Sequence, residues 1–186
     1  MDREIQALVG QAQGGDREAF GELYERLSPK VYSYLYYHLN GRAQLAEDLA
    51  EEVFVKVLEK LGRYQDRGLP FSAWVFRIAH NHLIDHVRAQ PKQGLVSIED
   101  CHDLPEHRSE RTLDLALTHT ELIRAISQLT EDQRRVVVLR FLQGMSTAET
   151  ARVLGKTEDA VKKLQARGLQ VLKKNLSAVQ QVLAVA

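Results

Sequence analysis

The chain has 186 residues, of which 44% are hydrophobic and 27% charged, and its 25 Lys and Arg residues balance 25 Asp and Glu residues. This composition is typical of a soluble globular protein with one ordinary domain or two small ones. No apolar run reaches the roughly 18 residues of a membrane span, the first residues lack a signal-peptide pattern, and the single cysteine, Cys101, excludes an intramolecular disulfide framework. We therefore expect a cytoplasmic protein without membrane insertion.

The charges are distributed unevenly along the chain. Residues 1–90 contain 11 Lys and Arg against 13 Asp and Glu, residues 91–121 contain 3 against 7, and residues 122–176 contain 11 against 5. The last segment thus has a net charge of +6 and follows an acidic segment of net charge −4. A basic module beside an acidic segment is typical of a protein that binds a polyanion with one end, although a basic face is also common as simple solvation.

The first predicted helix begins after Asp16, whose side chain suits an N-cap. Ser28 and Pro29 are expected to break or kink this helix, and an aromatic helix then continues to a stop at Asn40 and Gly41. Apolar residues recur three and four apart throughout this segment. They include Ala19, Phe20, Leu23, Leu27, Val31, Tyr32, Leu35 and Leu39.

The segment Ala43–Leu61 predicts a strongly amphipathic helix. Its apolar side chains fall four apart in two adjacent rows that form a core face, and acidic side chains occupy much of the rest. The rows contain Leu45, Leu49, Val53, Val57 and Leu61, and Ala46, Ala50, Phe54 and Leu58. Gly62 ends this helix, residues 63–70 read as a loop, and a fourth helix carries Trp74, Ile78 and Leu83.

Helical periodicity stops near Ala89, so the sequence predicts an all-α protein of two small helical domains joined by a flexible linker. The segment 90–115 is polar and acidic, with two prolines, and is predicted to be this linker. The resulting organisation is a first domain over 1–89, the linker over 90–115, a second domain over 116–176 and a C-terminal tail over 177–186.

The second domain contains the pattern of a helix-turn-helix. Thr130 with Gln133, and Ser146 with Glu149, form two capping boxes, each of which opens a helix. After the second, short helix, the turn 155–157 leads into a final helix of about fifteen residues, whose inner face is predicted to contain Val161, Leu164, Gly168 and Leu172.

The final helix presents basic and polar side chains away from its inner face. Lysine and arginine can neutralise phosphates or bind guanine, and glutamine can pair with adenine, so we predict that this helix reads duplex DNA. The candidate DNA-binding residues are Thr157, Glu158, Lys162, Lys163, Gln165 and Arg167. The alternative interpretation is an ordinary antiparallel helix pair in a bundle, solvated by its lysines.

Four segments of the chain resemble the extracytoplasmic-function (ECF) sigma factors of the bacterial sigma-70 family. The segments LTEDQRRVVVLRF at 129–141 and GMSTAETARVLG at 144–155 are similar to family region 4. AEDLAEEVF at 46–54 resembles region 2.2, and FSAWVFRIAHNHLID at 71–85 resembles regions 2.3 and 2.4. The resemblance extends over about residues 16–176, with both motif sets in the family's order.

The resemblance implies a promoter-specificity subunit without catalysis or cofactor, which directs core RNA polymerase to promoters and helps to open the −10 region. Core polymerase, through its β′ clamp and β flap, and promoter DNA would be partners, and an anti-sigma factor is a further candidate. The implied clamp-binding residues are Asp48, Glu51 and Glu52. The implied −10 strand-binding residues are Arg63, Arg67, Arg77, Asn81 and Arg88. The helix-turn-helix would read the −35 element, but Asp159, Ala160 and Leu164 depart from the family's recognition helix, so no target sequence is predicted.

Two other functional classes compete with this interpretation. A polymerase-independent, dimeric helix-turn-helix regulator is the alternative, although it has no use for an acidic clamp-binding helix. A metal-dependent enzyme could use His82 and His86, which lie one helical turn apart, but no glutamate follows the first histidine. We interpret these histidines as polar residues on the DNA-facing side of the fourth helix, and we expect Phe71 and Trp74 to belong to the core rather than to stack on bases.

Overall fold

The computed structural model describes residues 2–66, 68–89 and 120–183, and the side chains of residues 4–66, 68–89 and 120–175. These residues form helices joined by short turns, and no strand occurs in them, which confirms the all-α prediction. In chain order the helices are α1 Asp2–Gln13, α2 Arg17–His38, α3 Ala43–Leu61, α4 Phe71–Ala89, α5 at 120–127, α6 Glu131–Val137, α7 Thr147–Leu154 and α8 Glu158–Leu183. The predicted linker at 90–115 lies outside the described residues.

Helix α2 runs from Arg17 to His38 without interruption, so of the two outcomes expected at Ser28 and Pro29, a break or a kink, the break does not occur. Asp16 is the N-cap, as predicted, because its carboxylate accepts hydrogen bonds from the amides of residues 18 and 19. A proline inside a helix removes one hydrogen bond and crowds the preceding turn. Here Leu27 and Val31 are buried on either side of Pro29, and this packing holds the helix through the proline.

Helix α1 was not predicted from the sequence. Its apolar residues Ile5, Leu8 and Val9 pack against the core of the first domain, and Val9 is buried. At its C-terminal end the Gln13 amide donates hydrogen bonds to the carbonyl oxygens of Leu61 and Tyr64, at 2.9 and 2.8 Å. Helix α1 therefore covers the end of α3 and the start of the following loop.

Helix α3 buries most of the predicted rows, but Leu58 is an exception. Its side chain is 56% exposed, and Val55 is 57% exposed, so the apolar surface of α3 is divided between the core and solvent. An apolar residue at a helical spacing belongs to the core only if a neighbouring element reaches it. In the described chain, α1, α2 and α4 pack on the opposite side of α3.

The helix-turn-helix forms as predicted from α7, the turn and α8. Both capping boxes are present, and Gly155 ends α7 with a φ of +62°, a left-handed conformation that suits glycine. Thr157 accepts a hydrogen bond from the Ala160 amide. Helix α6 continues as a π-helical turn, Val138–Leu142. The final helix is longer than the predicted fifteen or so residues: α8 extends to Leu183, so residues 177–183 of the predicted tail are helical.

The two helical modules, α1–α4 and α5–α8, pack against each other. Val138 and Leu139 are fully buried in the hydrophobic cluster that contains the core of the first module. Arg134, only 6% exposed, donates hydrogen bonds to the His38 carbonyl at 3.2 Å and to the Asn40 side chain at 3.1 Å. The modules therefore share one continuous core and a buried polar contact.

Candidate nucleic-acid and partner interfaces

The outer face of α3 carries the three predicted polymerase-binding residues. Asp48, Glu51 and Glu52 are all exposed, and Val55 and Leu58 continue the same face toward the C-terminus of the helix. Charged and apolar groups together form a surface suited to a protein partner. The prediction that Leu58 belongs to the core is therefore wrong, and Val55 was not predicted on this face, although the acidic residues beside both of them indicate a side that faces solvent.

His82 connects this face to α4, which corrects its interpretation as a DNA-facing residue. The His82 ring is 9% exposed, its Nδ1 atom lies 2.8 Å from the Lys56 ammonium, and its Nε2 atom lies 2.8 Å from a Glu52 carboxylate oxygen. Burial, followed by the charge of Lys56, lowers the pKa of His82. The part of the chain that the structure describes contains no group of three His, Cys, Asp or Glu residues arranged for a metal ion.

The predicted strand-binding residues on α4 form one row. Arg77, Asn81 and Arg88 are exposed and share a side of the helix, and Arg63 is exposed just beyond the end of α3. Arg67 lies outside the described residues. The structure thus brings three of the five predicted residues together on α4.

The loop before α4 is held by aromatic packing. Tyr64 meets Phe71 and Trp74 with ring centroids 5.1 and 5.0 Å apart, and the Tyr64 hydroxyl donates to the Leu69 carbonyl at 3.2 Å. Phe71 is buried and Trp74 packs against the core, so the prediction that they are core residues is confirmed.

Helix α7 faces this row of α4 across an open cleft of about 590 Å³. The α4 wall contains Arg77, Asn81 and Arg88, and the α7 wall contains Arg152 and Leu154. Beyond the cleft, the Arg152 guanidinium donates a hydrogen bond to the Gly68 carbonyl at 2.6 Å. The first helix of the helix-turn-helix therefore lies against the predicted strand-binding surface.

Two buried histidines lie beneath this contact between the modules. The Tyr34 hydroxyl is 3.0 Å from His80 Nδ1, and His38 Nδ1 is 2.7 Å from the Tyr34 carbonyl, to which it donates. Burial, together with the smaller effect of nearby positive charges such as Arg135, lowers the pKa of His38 to about 3 and that of His80 to about 4. Both rings are thus neutral at pH 7.

The basic side chains of α8 lie on its outer side. The buried line of the helix passes through Val161 and Gly168. At about 100° per residue, Lys163 lies opposite that line, with Lys162 and Arg167 to either side of it, and all three are exposed. Helix α8 packs on α6 and α7, which leaves this basic face open to solvent.

The remaining predicted residues of α8 differ in their surroundings. Glu158 is exposed, whereas Gln165 is half-buried and accepts a hydrogen bond from Arg140 at 3.1 Å. Gln165 therefore packs within the module rather than pointing outward. Asp159, which was not among the predicted readers, is on the outer face and lies 3.6 Å from Lys162 as an exposed ion pair.

Comparisons with known proteins agree with this geometry. Family models described as Sigma-70 region 2 and Sigma-70 region 4 match residues 23–93 and 119–172. The chain is 41% identical to the ECF RNA polymerase sigma factor BldN of Streptomyces coelicolor over 89% of its own length, and it spans 63% of the length of that protein. It is 35% identical to the ECF RNA polymerase sigma factor SigX of Bacillus subtilis over 89% of its length and 88% of SigX.

Solved structures give the same result. The chain superposes on the structure of CnrH in complex with the cytosolic domain of CnrY with a TM-score of 0.71 and 27% sequence identity. The match covers 94% of this chain and 98% of the matched chain. No helix in the described part of the chain is long and apolar enough to cross a membrane. None of these similarities supports a polymerase-independent dimeric regulator. Both family models and the similarity to SigX assign the chain, with its acidic α3 and its helix-turn-helix, to one family. The chain is an ECF RNA polymerase sigma factor of the sigma-70 family.

Proposed function

We propose that this chain directs core RNA polymerase to its promoters by binding alone, through three separate surfaces. The acidic and apolar face of α3 binds the β′ clamp. The row on α4, with Arg63, holds the non-template strand of the −10 element, and the outer face of α8 reads the −35 element. The chain would act in the cytoplasm, where core polymerase is found.

The observation that carries this proposal is the exposed face of α3. Asp48, Glu51 and Glu52 form an acidic patch directly beside exposed Val55 and Leu58, and none of the described helices covers it. An acidic face would repel DNA, so its partner is a protein. This face and the basic face of α8 lie on different modules, as a factor that joins polymerase to DNA requires.

The α4 row has the chemistry to hold unpaired DNA. Arg77 and Arg88 can neutralise backbone phosphates, and the Asn81 amide between them can donate to and accept from a base edge. A base must leave the duplex before its edge can be read in this way. The −10 element is therefore the segment that this row is suited to bind.

Titration of core polymerase onto the chain tests the clamp assignment. The variant Asp48→Lys with Glu51→Lys reverses two charges and leaves the contact between Glu52 and His82 in place. We expect at least tenfold weaker core binding, which is about 1.4 kcal/mol. The control is Glu25→Lys, an exposed glutamate on α2. Equal core affinity of the double variant and the control would contradict the clamp assignment.

Promoter binding by the reconstituted holoenzyme tests the DNA assignments. Lys162→Ala or Arg167→Ala should weaken binding to an upstream duplex and reduce the salt dependence by about one counterion. Arg77→Ala should instead reduce strand opening, measured by 2-aminopurine fluorescence in the −10 region. Lys174→Ala, an exposed lysine farther along α8, is the control for both. Loss of core binding in Lys162→Ala would show that α8 is not the DNA reader.

An anti-sigma factor is a proposed partner. One solved structure with the same fold, at 18% identity and a TM-score of 0.66, is the sigma factor RpoE of Bartonella quintana in complex with the anti-sigma factor NepR. The exposed apolar side chains of α3 give such a protein a surface that polymerase would also need. An anti-sigma factor bound there would exclude core polymerase by competition.

A further inference from the structure

The cleft between α4 and α7 combines side chains from both helical modules. Its volume of about 590 Å³ is within the roughly 300–1,000 Å³ range of small-molecule sites. Arg77, Asn81 and Arg88 come from the first module and Arg152 from the second. The cleft exists only while the modules are packed together, so a molecule bound in it contacts both.

The walls of the cleft are predominantly positive. Arg77, Arg88 and Arg152 line it, and Asp85 is the single carboxylate among the described lining residues. Within residues 4–66, 68–89 and 120–175, none of these three arginines forms an ion pair with a carboxylate. The hydrogen bond from Arg152 to the Gly68 carbonyl uses one of its five N–H groups and leaves the others for an anion. Packing of the modules brings Arg152 toward the other two, and like charges repel. An anion in the cleft would remove that repulsion.

The remaining groups that line the cleft indicate which kind of anion would fit it. Ile84 and Leu154 are half-buried and offer an apolar surface, and the exposed Asn81 amide can both donate and accept hydrogen bonds. The buried His80 ring also borders the cleft, and its Nδ1 atom is already engaged by Tyr34. Arginines suit phosphates, an apolar surface suits the face of a base, and an amide suits its edge.

We propose that this cleft binds a free nucleoside polyphosphate, with its phosphates between Arg77, Arg88 and Arg152 and its base against Ile84 and Leu154. The ligand bridges α4 and α7 and stabilises the packed arrangement of the modules, because it has more contacts there than in a separated one. Arg77 and Asn81 are the residues that the proposed function assigns to the −10 strand. The nucleotide therefore competes with that strand.

The packed arrangement of the modules, which the nucleotide would stabilise, is incompatible with binding to both promoter elements at once. Elements centred at −10 and −35 are roughly 25 base pairs apart, which is about 85 Å of duplex at 3.4 Å per pair. Helices α4 and α7 are in contact, and α8 follows α7 after a three-residue turn. The modules must therefore separate before α4 and α8 can reach both elements, and a bridging nucleotide opposes that separation. This consequence rests on the proposed function, whereas nucleotide binding itself does not.

Calorimetric titration of the full chain with ATP, without polymerase or promoter, tests the proposal. We expect Arg152→Ala to bind ATP at least tenfold more weakly than the unmodified chain, and Arg124→Ala, an exposed arginine on α5, to bind it equally well. Pyrophosphate and adenosine, offered separately, should each bind at least tenfold more weakly than ATP. An ATP concentration that saturates the unmodified chain should raise its melting temperature by more than it raises that of Arg152→Ala.

Three outcomes would overturn the proposal. The first is ATP affinity that Arg152→Ala leaves unchanged, since the second module would then contribute nothing. The second is pyrophosphate binding as strong as ATP binding, which would reveal a simple anion site. The third is a single-stranded DNA tetranucleotide that binds more tightly than ATP and is indifferent to Arg152→Ala, which would show a strand site on α4 alone. Because polymerase is absent, an error in the clamp assignment leaves this test intact.

Discussion

Helices α3 and α4 are neighbours in one module, yet their functional faces have different surroundings. The acidic face of α3 is open to solvent, whereas the row on α4 faces α7 across a cleft. In the packed arrangement the face proposed to bind polymerase is therefore open, and the row proposed to bind the −10 strand lines the cleft. Under the proposed function, polymerase would therefore bind first, and the −10 strand would bind after the modules separate.

The buried contact of Arg134 between the two modules determines how readily they separate and expose the row on α4. Arg134 donates hydrogen bonds to the His38 carbonyl and the Asn40 side chain of the first module and, at 2.9 Å, to the Ser127 carbonyl of its own module. Buried hydrogen bonds from a charged donor are stronger than neutral ones. The guanidinium thus donates to three acceptors, two of which belong to the first module. When the modules separate, water must replace those two hydrogen bonds.

The largest effect is expected from Leu139→Ala. Leu139 is fully buried in the core that the modules share, and removal of a buried leucine side chain typically costs about 2–5 kcal/mol of unfolding free energy. Urea titration followed by circular dichroism measures the loss. Trp74, the single tryptophan, lies in the first module, so its fluorescence reports that module separately.

These two probes also distinguish one cooperative unit from two. If the shared core makes the modules cooperative, fluorescence and circular dichroism should give the same shifted midpoint in Leu139→Ala. Hydrogen exchange should then increase in α4, where α7 no longer packs tightly, more than in α3. A fluorescence midpoint equal to that of the unmodified chain would mean that the modules unfold independently and that α4 is not protected by the second module.

Acidification should destabilise the same contact. His38 and His80 have pKa values of about 3 and about 4 in the folded chain, against about 6.5 when unfolded, so the unfolded state binds more protons between pH 6.5 and 4. Stability is complete above pH 6.5 and falls as the pH decreases through that window. Together the two histidines should lower the free energy of unfolding at pH 5.5 by on the order of 2–3 kcal/mol, relative to its value at neutral pH. Urea denaturation at each pH measures this loss.

Nuclear magnetic resonance provides the check on this assignment. The ring protons of His38 and His80 should show no titration between pH 8 and 5, because neither ring is protonated there. The variant His80→Gln should reduce the pH slope of stability by about half. An unchanged slope, or titration of either ring near pH 6.5, would mean that other groups cause the acid sensitivity.

Gly168→Ala tests the packing within the second module. A Cβ atom at this position would lie 2.9 Å from Val137 Cγ2, so either the buried Val137 side chain or the helices α6 and α8 would have to shift. Such overpacking typically costs about 1–3 kcal/mol. Gly21→Ala in α2 is the matched control, since nothing lies within 4 Å of its added Cβ atom, and it should stabilise the chain by about 0.5–1 kcal/mol. Equal stability of the two variants would contradict the close helix approach.

Sequence periodicity predicted the helices well where local signals determine them. The caps at Thr130 and Ser146 and the turn at Gly155 depend on neighbouring residues alone, and all three form as predicted. Pro29 was misleading because tertiary packing, which a local rule does not include, keeps α2 continuous. Helix α1 could have been found from the spacing of its apolar residues Ile5, Leu8, Val9 and Ala12.

The environment of the site residues was less predictable. Sequence identified Arg77 and Asn81 as candidates but not their position in a cleft, because the packing of α7 on α4 joins residues about 75 positions apart. His82 was assigned to the wrong side of α4 for the same reason. Periodicity gives the angle between residues on a helix, and only the neighbouring helices decide which angle is buried.

The smallest effect on stability is expected from Asp159→Ala. Its ion pair with Lys162 is exposed, and such pairs contribute about 0–1 kcal/mol, so the melting temperature should hardly change. DNA binding should respond more strongly, because the variant removes a negative charge from the outer face of α8 and frees Lys162 to contact a phosphate. We expect severalfold tighter holoenzyme binding to an upstream duplex, with a steeper salt dependence. Weaker binding that depends on one base pair would instead show that Asp159 reads a base, since a carboxylate can accept a hydrogen bond from the cytosine amino group.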